Sequence, residues 1–444
     1  MRLFGRKDGA APEPNEGVAA FWSWWQETRP QIDAMLDAAE AEAEANLQAE
    51  AERPAERPVE RPSERPAEPP AERIDSGDGI SATELAEFER LIQGFDAPEA
   101  ERPAGTEPTE GPNQATAEDA GTAEEAGAAE EAGSSGAERL AAYLGPAVAA
   151  IHPDLVGEIV PGRNAAHALV VTAAGDPELR SLAHRWARAA PPADAQWEYH
   201  PSRQANPRAL ALRLEVGGYE FALAELRLGL RVPRGTPRVD VSAFHPVFVM
   251  LDEETRLEAT LLALDWLLGE DDVARWVGEI TPTTFQPIDA VEAVHFPAVV
   301  ADLASEYTEE QWAQLEGQTA DGSRLVAVTR FPLRPVDHPL FDQHIAIALP
   351  YARADDEGLP EGRSLAALRD FEERLSRQLL KLRGGAVLAA HVSAERHRVL
   401  HIYADPASEA AAKLKELATS WKEGHPRVDV ALDPAWTAVA PFLS

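Results

Sequence analysis

An acidic, proline-containing segment, residues 37–136, most strongly constrains what this chain can fold into. It repeats Glu-Arg-Pro followed by a small residue from Glu52 to Ala67, and its 27 acidic and 7 basic residues carry -20 of the formal charge of -35. Proline every four residues removes backbone donors that a helix needs, and the like charges repel one another. Burial therefore cannot offset the entropy of ordering. We expect a long disordered acidic insertion, rich in Pro, Glu and Ala, between folded parts.

Residues 81–95 are an exception within this insertion. They begin with a capping box, Ser81 and Glu84, and then place apolar residues at helical spacing: Leu85, Phe88, Leu91 and Ile92. Two interpretations stay open. The sequence favours a marginal amphipathic helix without a partner, and the alternative is a docking motif.

An aromatic helix is predicted over residues 18–36, which contain the sequence FWSWW. Its apolar stripe comprises Phe21, Trp25, Ile32 and Leu36, widened by Trp22 and Trp24. Pro30 predicts a kink or a division into two helices. Because the acidic segment that follows offers no apolar surface, we expect this helix to pack on the first domain, from which the insertion separates it.

The first domain is predicted over residues 137–308 as an α+β domain with a mixed or antiparallel sheet. Strand patterns recur between Gln196 and Phe244, and within Ala209–Val216 every second residue is apolar. Helices are predicted over 177–189, 253–268, 271–277 and 297–306. The acidic run from Glu270 to Asp272 follows Gly269, so we interpret it as the N-terminal acids of a helix rather than as a cation site.

The pattern restarts in a second domain, residues 309–444. A β-hairpin over 314–319 and 324–331 comes first. The order that follows is strand, helix, strand, strand, helix, strand: 343–351, 364–382, 386–393, 398–404, 407–421 and 426–432. A βαββαβ order is the ferredoxin-like arrangement. The chain is thus predicted to be α+β, with a ferredoxin-like C-terminal domain preceded by a hairpin.

The C-terminal residues resemble a known family. Gly358-Leu359-Pro360, FEERL at 371–375, RVLHIY at 398–403 and DPAW at 433–436 occur in the order seen in the bacterial family called domain of unknown function 695. The preceding region is similar to the α/β region that accompanies this module, through FWSWW, AAGDPELRSL, WEYHPSRQ and LALDWLLGEDDVARWVGEI. The resemblance implies a fold and no activity, cofactor or residue role.

Composition and motifs argue against several classes of protein. The net charge of -35 disfavours nucleic acid and anionic membranes as partners, and no segment has the length and apolarity of a membrane helix. Without cysteine the chain has no disulfide, thiolate metal site or cysteine nucleophile. The patterns GxGxxG, GxxxxGK[ST], HExxH and GxSxG do not occur. We therefore expect a cytoplasmic protein without a cofactor or a metal.

The candidate site residues are His391, His401 and Tyr403. By strand alternation they have the parity opposite to Leu388 and Leu400, which predicts a polar groove on the sheet face away from the helices. Imidazoles in such a groove bind metals or transfer protons. The alternative, which the sequence favours, is that these side chains pack under the hairpin or against the first domain.

The missing catalytic patterns favour a non-enzymatic, regulatory protein that binds a protein partner. One alternative is an enzyme with an unrecognised site on the C-terminal sheet or between the domains. Another is an acidic inhibitor of a basic partner, whose complex would weaken strongly with salt.

Overall fold

The computed structural model describes residues 14–51, 136–319 and 321–443. The helices are α1 (Pro14–Ala51), α2 (Gly136–Ala149), α3 (Arg180–Arg188), α4 (Glu253–Leu268), α5 (Glu270–Trp276), α6 (Phe296–Ser305), α7 (Gly362–Lys381) and α8 (Ala410–Ala418). The strands are β1 (Val156–Pro161), β2 (His167–Thr172), β3 (Trp197–His200), β4 (Arg213–Val216), β5 (Tyr219–Ala222), β6 (Arg227–Arg231), β7 (Val239–Phe244), β8 (Val277–Thr283), β9 (Val291–Glu292), β10 (Gln311–Gln318), β11 (Arg324–Phe331), β12 (Gln343–Pro350), β13 (Ala386–Ala394), β14 (His397–Ala404) and β15 (Arg427–Leu432). The fold is α+β, as the sequence predicts.

A three-stranded mixed sheet starts the part that follows residue 136. Its order is β1-β2-β3, with β1 antiparallel and β3 parallel to β2. Leu169, Val171 and Trp197 point to one face and are completely buried under helices α1, α2 and α3. The other face carries Glu158, Val170 and Glu198, among others, and forms the floor of a cleft.

Helix α1 packs on this sheet through its tryptophans. Trp25 is 1% exposed, and its ring meets that of Trp197 edge-on at 4.8 Å between centroids. Hydrogen bonds satisfy the indole N–H groups, since Trp22 donates to the carbonyl of Trp186 at 2.9 Å and Trp25 to the hydroxyl of Tyr199 at 3.2 Å. The indoles of Trp22 and Trp25 thus find both apolar contacts and polar partners.

The bounds of α1 differ from the expected ones. The helix runs through Pro30 without interruption and continues past residue 36 to Ala51, because Ala and Glu, which favour helices, fill this stretch. The rest of the predicted insertion, residues 52–135, lies outside the described residues, and so does the amphipathic segment 81–95.

A second lobe follows, with a four-stranded sheet of order β8-β7-β6-β9 and the separate hairpin β4–β5. Helices α4, α5 and α6 cover its core, in which Phe221, Phe248 and Phe296 are fully buried. The strand predicted over residues 209–216 is shorter than expected. Residues 209–211 form a 3-10 turn instead, because the side chain of Asn206 accepts the amide of Arg208 and its carbonyl accepts that of Ala209.

The C-terminal module contains a six-stranded sheet of order β10-β11-β13-β14-β12-β15, antiparallel throughout. Helices α7 and α8 pack on one face, against Ile345, Leu400 and Ile402. The opposite face is partly covered by the C-terminal segment, where Trp436 is 1% exposed and Val439 fully buried. Among the described helices, none is both long and apolar enough to cross a membrane.

Arginine contacts join the C-terminal module to the preceding part. Arg185 on α3 donates to both carboxylate oxygens of Asp342, at 2.6 and 2.9 Å. On the other side, Arg275 donates to Asp337 at 2.6 Å, and the guanidinium of Arg334 lies 4.2 Å from the ring centroid of Trp276. These contacts fix where the C-terminal sheet meets α3 and α5.

The packing of α1 generates a stability prediction. Replacing Trp25→Ala removes a buried ring and should lower the free energy of unfolding by about 3–5 kcal/mol. The exposed residue next to it provides the matched control, since Gln26→Ala should change the value by less than about 0.5 kcal/mol. Urea denaturation measures both, and hydrogen exchange should show the loss in β1 to β3. A loss of under about 1 kcal/mol for Trp25→Ala would contradict the packing.

Candidate functional site

The structure brings two of the three predicted site residues together and separates the third. His401 and Tyr403 share a sheet face with His344 of β12, whose Nε2 lies 3.1 Å from Nδ1 of His401. His391 lies opposite Leu400, on the helix-covered face. A bulge between Leu388 and Ala390 shifts the register by one residue, which reverses the side of every later residue in β13. The expected common face of the three residues is therefore wrong.

The His344–His401 pair has little proton affinity. Burial, followed by the neighbouring His344, lowers the pKa of His401 to about 4, and burial lowers the pKa of His344. Both imidazoles are therefore neutral at pH 7, and each ring nitrogen at the contact is taken by the other ring. Within the described residues, no group of three or more His, Cys, Asp or Glu side chains is placed to hold a metal ion.

Tyr403 is tied to the C-terminal segment. Its hydroxyl donates to Asp433 at 2.6 Å and its ring stacks on Trp436 at 3.9 Å. Burial and this hydrogen bond raise the pKa of Tyr403 above its usual value. Burial opposes ionisation of Asp433, but hydrogen bonds from Tyr403 and from the amide of Ala438 hold its pKa below the usual value. These groups bond to one another and hold the C-terminal segment on the sheet.

A cleft of about 820 Å³ lies on the face of the first sheet that points away from α1, α2 and α3. Alternate residues of β1, β2 and β3 form its floor: Glu158, Val160, Ala168, Val170, Glu198 and His200. The opposite wall consists of residues 203–208, Ala211, Leu212, Trp266 and Leu267. This volume and the mixture of apolar and polar lining are typical of small-molecule sites.

Arg203 is the central charge at the cleft. Its Nε donates to both oxygens of Glu158 at 3.0 Å, and its Nη1 donates to Asp265 at 3.0 Å. Its backbone amide donates to Glu270 at 3.1 Å. We call Arg203, Glu158, Asp265 and Glu270 the Arg203 cluster. It joins β1, α4, α5 and the segment after β3.

Glu270 extends the cluster to the first sheet. Its carboxylate accepts the hydroxyl of Thr172 and, at 3.1 Å, the amide of Gly175. The neighbouring Asp271 accepts the hydroxyl of Ser202 at 2.9 Å. These acids thus bond to other segments rather than to the first amides of their own helix, which has no side-chain cap. The run forms the first turn of α5, as the sequence predicts, but its side chains hold neighbouring segments instead of capping their own helix.

The cluster contains three carboxylates and one guanidinium, which contacts two of them, so the charges are not balanced. Burial and repulsion by Glu270 raise the pKa of Asp265 to about 7, although Arg203 acts in the opposite direction. Burial alone would lower the pKa of Arg203, but its hydrogen bonds with Glu158 raise it. Near neutral pH, Asp265 is therefore only partly ionised, while Arg203 stays charged.

Glu198 is the other fixed acid of the cleft floor. Its two oxygens accept the amides of Arg163 at 2.7 Å and Asn164 at 3.0 Å, and Nε2 of His200 lies 3.2 Å away. Burial would raise its pKa, yet the hydrogen bonds from Arg163 and His200 keep it below the usual value. This carboxylate therefore anchors the turn between β1 and β2.

The sequence patterns did not predict this cleft or the Arg203 cluster. Three segments that carried the resemblance of the N-terminal region meet in it: residues 173–182 supply Gly175, residues 197–204 supply Arg203, and residues 262–280 supply Asp265 and Glu270. A usable signal was present, because Glu198 and Asp265 are charged residues within otherwise buried strand and helix patterns. Such residues are almost never buried unless they are paired.

The comparison with known proteins concerns the C-terminal part of the chain, not the cleft. Residues 324–444 match the model of a family of unknown function (DUF695). No curated protein and no solved structure matched the chain significantly. The cleft, built from residues 158–267, lies before the matched residues. The comparison confirms the family of the C-terminal module: it matches DUF695, for which no function is known.

Proposed function

We propose that this protein is a cytoplasmic, non-enzymatic binding protein with a regulatory role, and that a small molecule occupies the cleft on the first sheet. The observation that carries the proposal is an open space of about 820 Å³ whose charged floor is already paired within the protein. Such a floor is rigid before any ligand enters, which reduces the cost of binding.

Binding is favoured over catalysis by the state of the acids. A carboxylate that already accepts hydrogen bonds from fixed donors is a weaker base toward a substrate proton. The oxygens of Glu158 accept from Arg203, and those of Glu198 accept from two backbone amides. Asp265, which has a pKa suited to proton transfer, is 7% exposed and bonded to Arg203. The alternative of an enzyme acting through His401 has less support, because that ring is partnered by His344.

A variant whose side chain fills the cleft tests whether a ligand binds there. Ala211 is exposed, lies in a 3-10 turn and lines the cleft, so Ala211→Trp should block it with little strain. A panel of small organic metabolites is screened by thermal shift against the wild type. A ligand at a hundred times its Kd should stabilise the wild type by about 2.7 kcal/mol and leave Ala211→Trp unshifted.

Ala224→Trp is the matched control for this screen. Ala224 is an exposed alanine in another 3-10 turn, between β5 and β6, and does not line the cleft. This variant should respond like the wild type. Equal shifts in Ala211→Trp and in the wild type would place binding elsewhere and contradict the proposal.

A protein partner, as expected from the sequence, is the second candidate. Support comes from residues 284–289, where the side chain of Phe285 is 71% exposed and Ile288 is fully exposed. Neighbouring large apolar side chains exposed together are typical of interaction surfaces. Crosslinking in a native lysate should capture a partner with the wild type, and the double variant Phe285→Ser/Ile288→Ser should lose it. The control variant Leu380→Ser, which changes an exposed leucine elsewhere, should still capture the partner.

We also propose a ferredoxin-like arrangement for the C-terminal module, residues 309–444. The order β12, α7, β13, β14, α8, β15 along the chain and the sheet order β13-β14-β12-β15 support it, as do two helices on one face. The hairpin β10–β11 then extends the sheet beside β13. Backbone NOEs between Ile345 and Ile402 test the strand order, and their absence would contradict it.

The division into domains is likewise a proposal. Residues 18–36 are assigned to the first domain, residues 137–308, with residues 37–136 inserted between them. The contacts of Trp22 and Trp25 with Trp186, Trp197 and Tyr199 support this assignment. The Trp25→Ala experiment tests it, because an independent helix would leave hydrogen exchange in β1 to β3 unchanged.

A further inference from the structure

The acceptor groups of the cleft are occupied by donors of the protein itself. Glu158 accepts from the guanidinium of Arg203, and Glu198 accepts the amides of Arg163 and Asn164. A cationic ligand would meet carboxylates whose charge is already partly compensated by fixed donors. The cleft therefore has few free acceptor groups for a cationic ligand.

The donor groups of the cleft are in the opposite state. Arg208 is exposed, and among the described residues its guanidinium has no hydrogen-bond or ion-pair partner. Arg163 is also exposed, and its guanidinium is bonded through one nitrogen, Nη2, to the carbonyl of Ala205. Both arginines thus border the segment 205–208 with N–H groups to spare.

The segment that carries these donors is held in place. The amide of Asn206 donates to the carbonyl of Trp266 at 2.8 Å, and the side chain of Asn206 accepts the amide of Arg208 at 2.8 Å. Half-buried apolar side chains lie beside it, those of Leu212 and Trp266. Cationic donors and an apolar wall are therefore presented together on one rim of the cleft.

We propose that the ligand of the cleft is a small organic anion, whose oxyanion is held by Arg208 and Arg163 and whose apolar body lies along Leu212 and Trp266. This inference rests on the proposed function, since it names the chemical class of the ligand for the same cleft. Guanidinium groups bind carboxylate, sulfonate and phosphate oxygens through charge-assisted hydrogen bonds. In a chain with a net charge of -35, such local donors also reverse the general repulsion of anions.

Two fluorescent probes with the same ring system test the ligand class. 8-Anilinonaphthalene-1-sulfonate carries an anion, and N-phenyl-1-naphthylamine is neutral. Arg208→Gln keeps a polar side chain without the charge and should weaken binding of the anionic probe about tenfold, the effect of one charge-assisted hydrogen bond. Binding of the neutral probe should stay within about twofold, because its contacts are apolar.

Controls separate this inference from the proposed function. Arg234→Gln removes an exposed arginine that does not line the cleft, and it should leave both affinities unchanged. If Ala211→Trp blocks both probes while Arg208→Gln affects neither or both equally, the cleft binds ligands and the anion inference is wrong. If neither probe binds the wild type, or Ala211→Trp leaves both affinities unchanged, the cleft itself is rejected as a site for such molecules.

Discussion

One arginine shared among three carboxylates is the interaction on which the first part of the molecule depends. Arg203 bonds to Glu158 of β1 and Asp265 of α4 through its side chain, and to Glu270 of α5 through its backbone. Glu270 in turn bonds to the loop that follows β2. The cleft exists because these contacts hold the first sheet and the second lobe at a fixed separation.

The cluster also carries an energetic cost. Burying charge requires loss of hydration, and a single arginine does not neutralise three acids. The raised pKa of Asp265 expresses this imbalance, because protonation removes one of the excess charges. Glu198, by contrast, is stabilised as an anion by backbone amides and needs no cation from outside the cleft. The floor is thus polar, internally bonded and poor in free acceptors, and the unpaired donors lie on the rim.

Periodicity predicted most elements because local patterns encode them. Helix α4 begins and ends where the apolar spacing predicted, from the Asp252 cap to Gly269, and the strands and helices after residue 343 follow the predicted order. The side of His391 could not be predicted, since a one-residue bulge at Ala389 leaves no mark in the alternation. The bulge moves the later side chains of β13 to the opposite face and leaves the composition of the strand unchanged.

The candidate site could not be predicted from the sequence, for a related reason. Arg203 meets Glu158 and Asp265 across 45 and 62 residues of sequence, and periodicity carries no information about which charges pair at such separations. A charged residue within an otherwise apolar pattern, as at Glu198 and Asp265, indicates a buried and paired group. It does not indicate which residue is the partner. The aromatic helix was easier to interpret, because its large apolar stripe required a partner and the acidic segment offered none.

The most direct measurement is the free energy of unfolding of Arg203→Met at pH 5 and pH 8, compared with wild type at the same pH. Without Arg203 the pKa of Asp265, which burial raises from 3.8 to about 7, should rise further. The added penalty is small below that wild-type pKa, where Asp265 is protonated in both folded proteins, and grows as pH rises above it. The account predicts a loss of about 3–5 kcal/mol at pH 8, smaller at pH 5 by up to about 1.4 kcal/mol, the free energy of the one pH unit between the pKa of Asp265 and pH 8. Arg213→Met, which breaks an exposed ion pair with Glu220, should cost under about 1 kcal/mol at both. Equal losses for Arg203→Met at the two pH values would contradict the central role of the cluster.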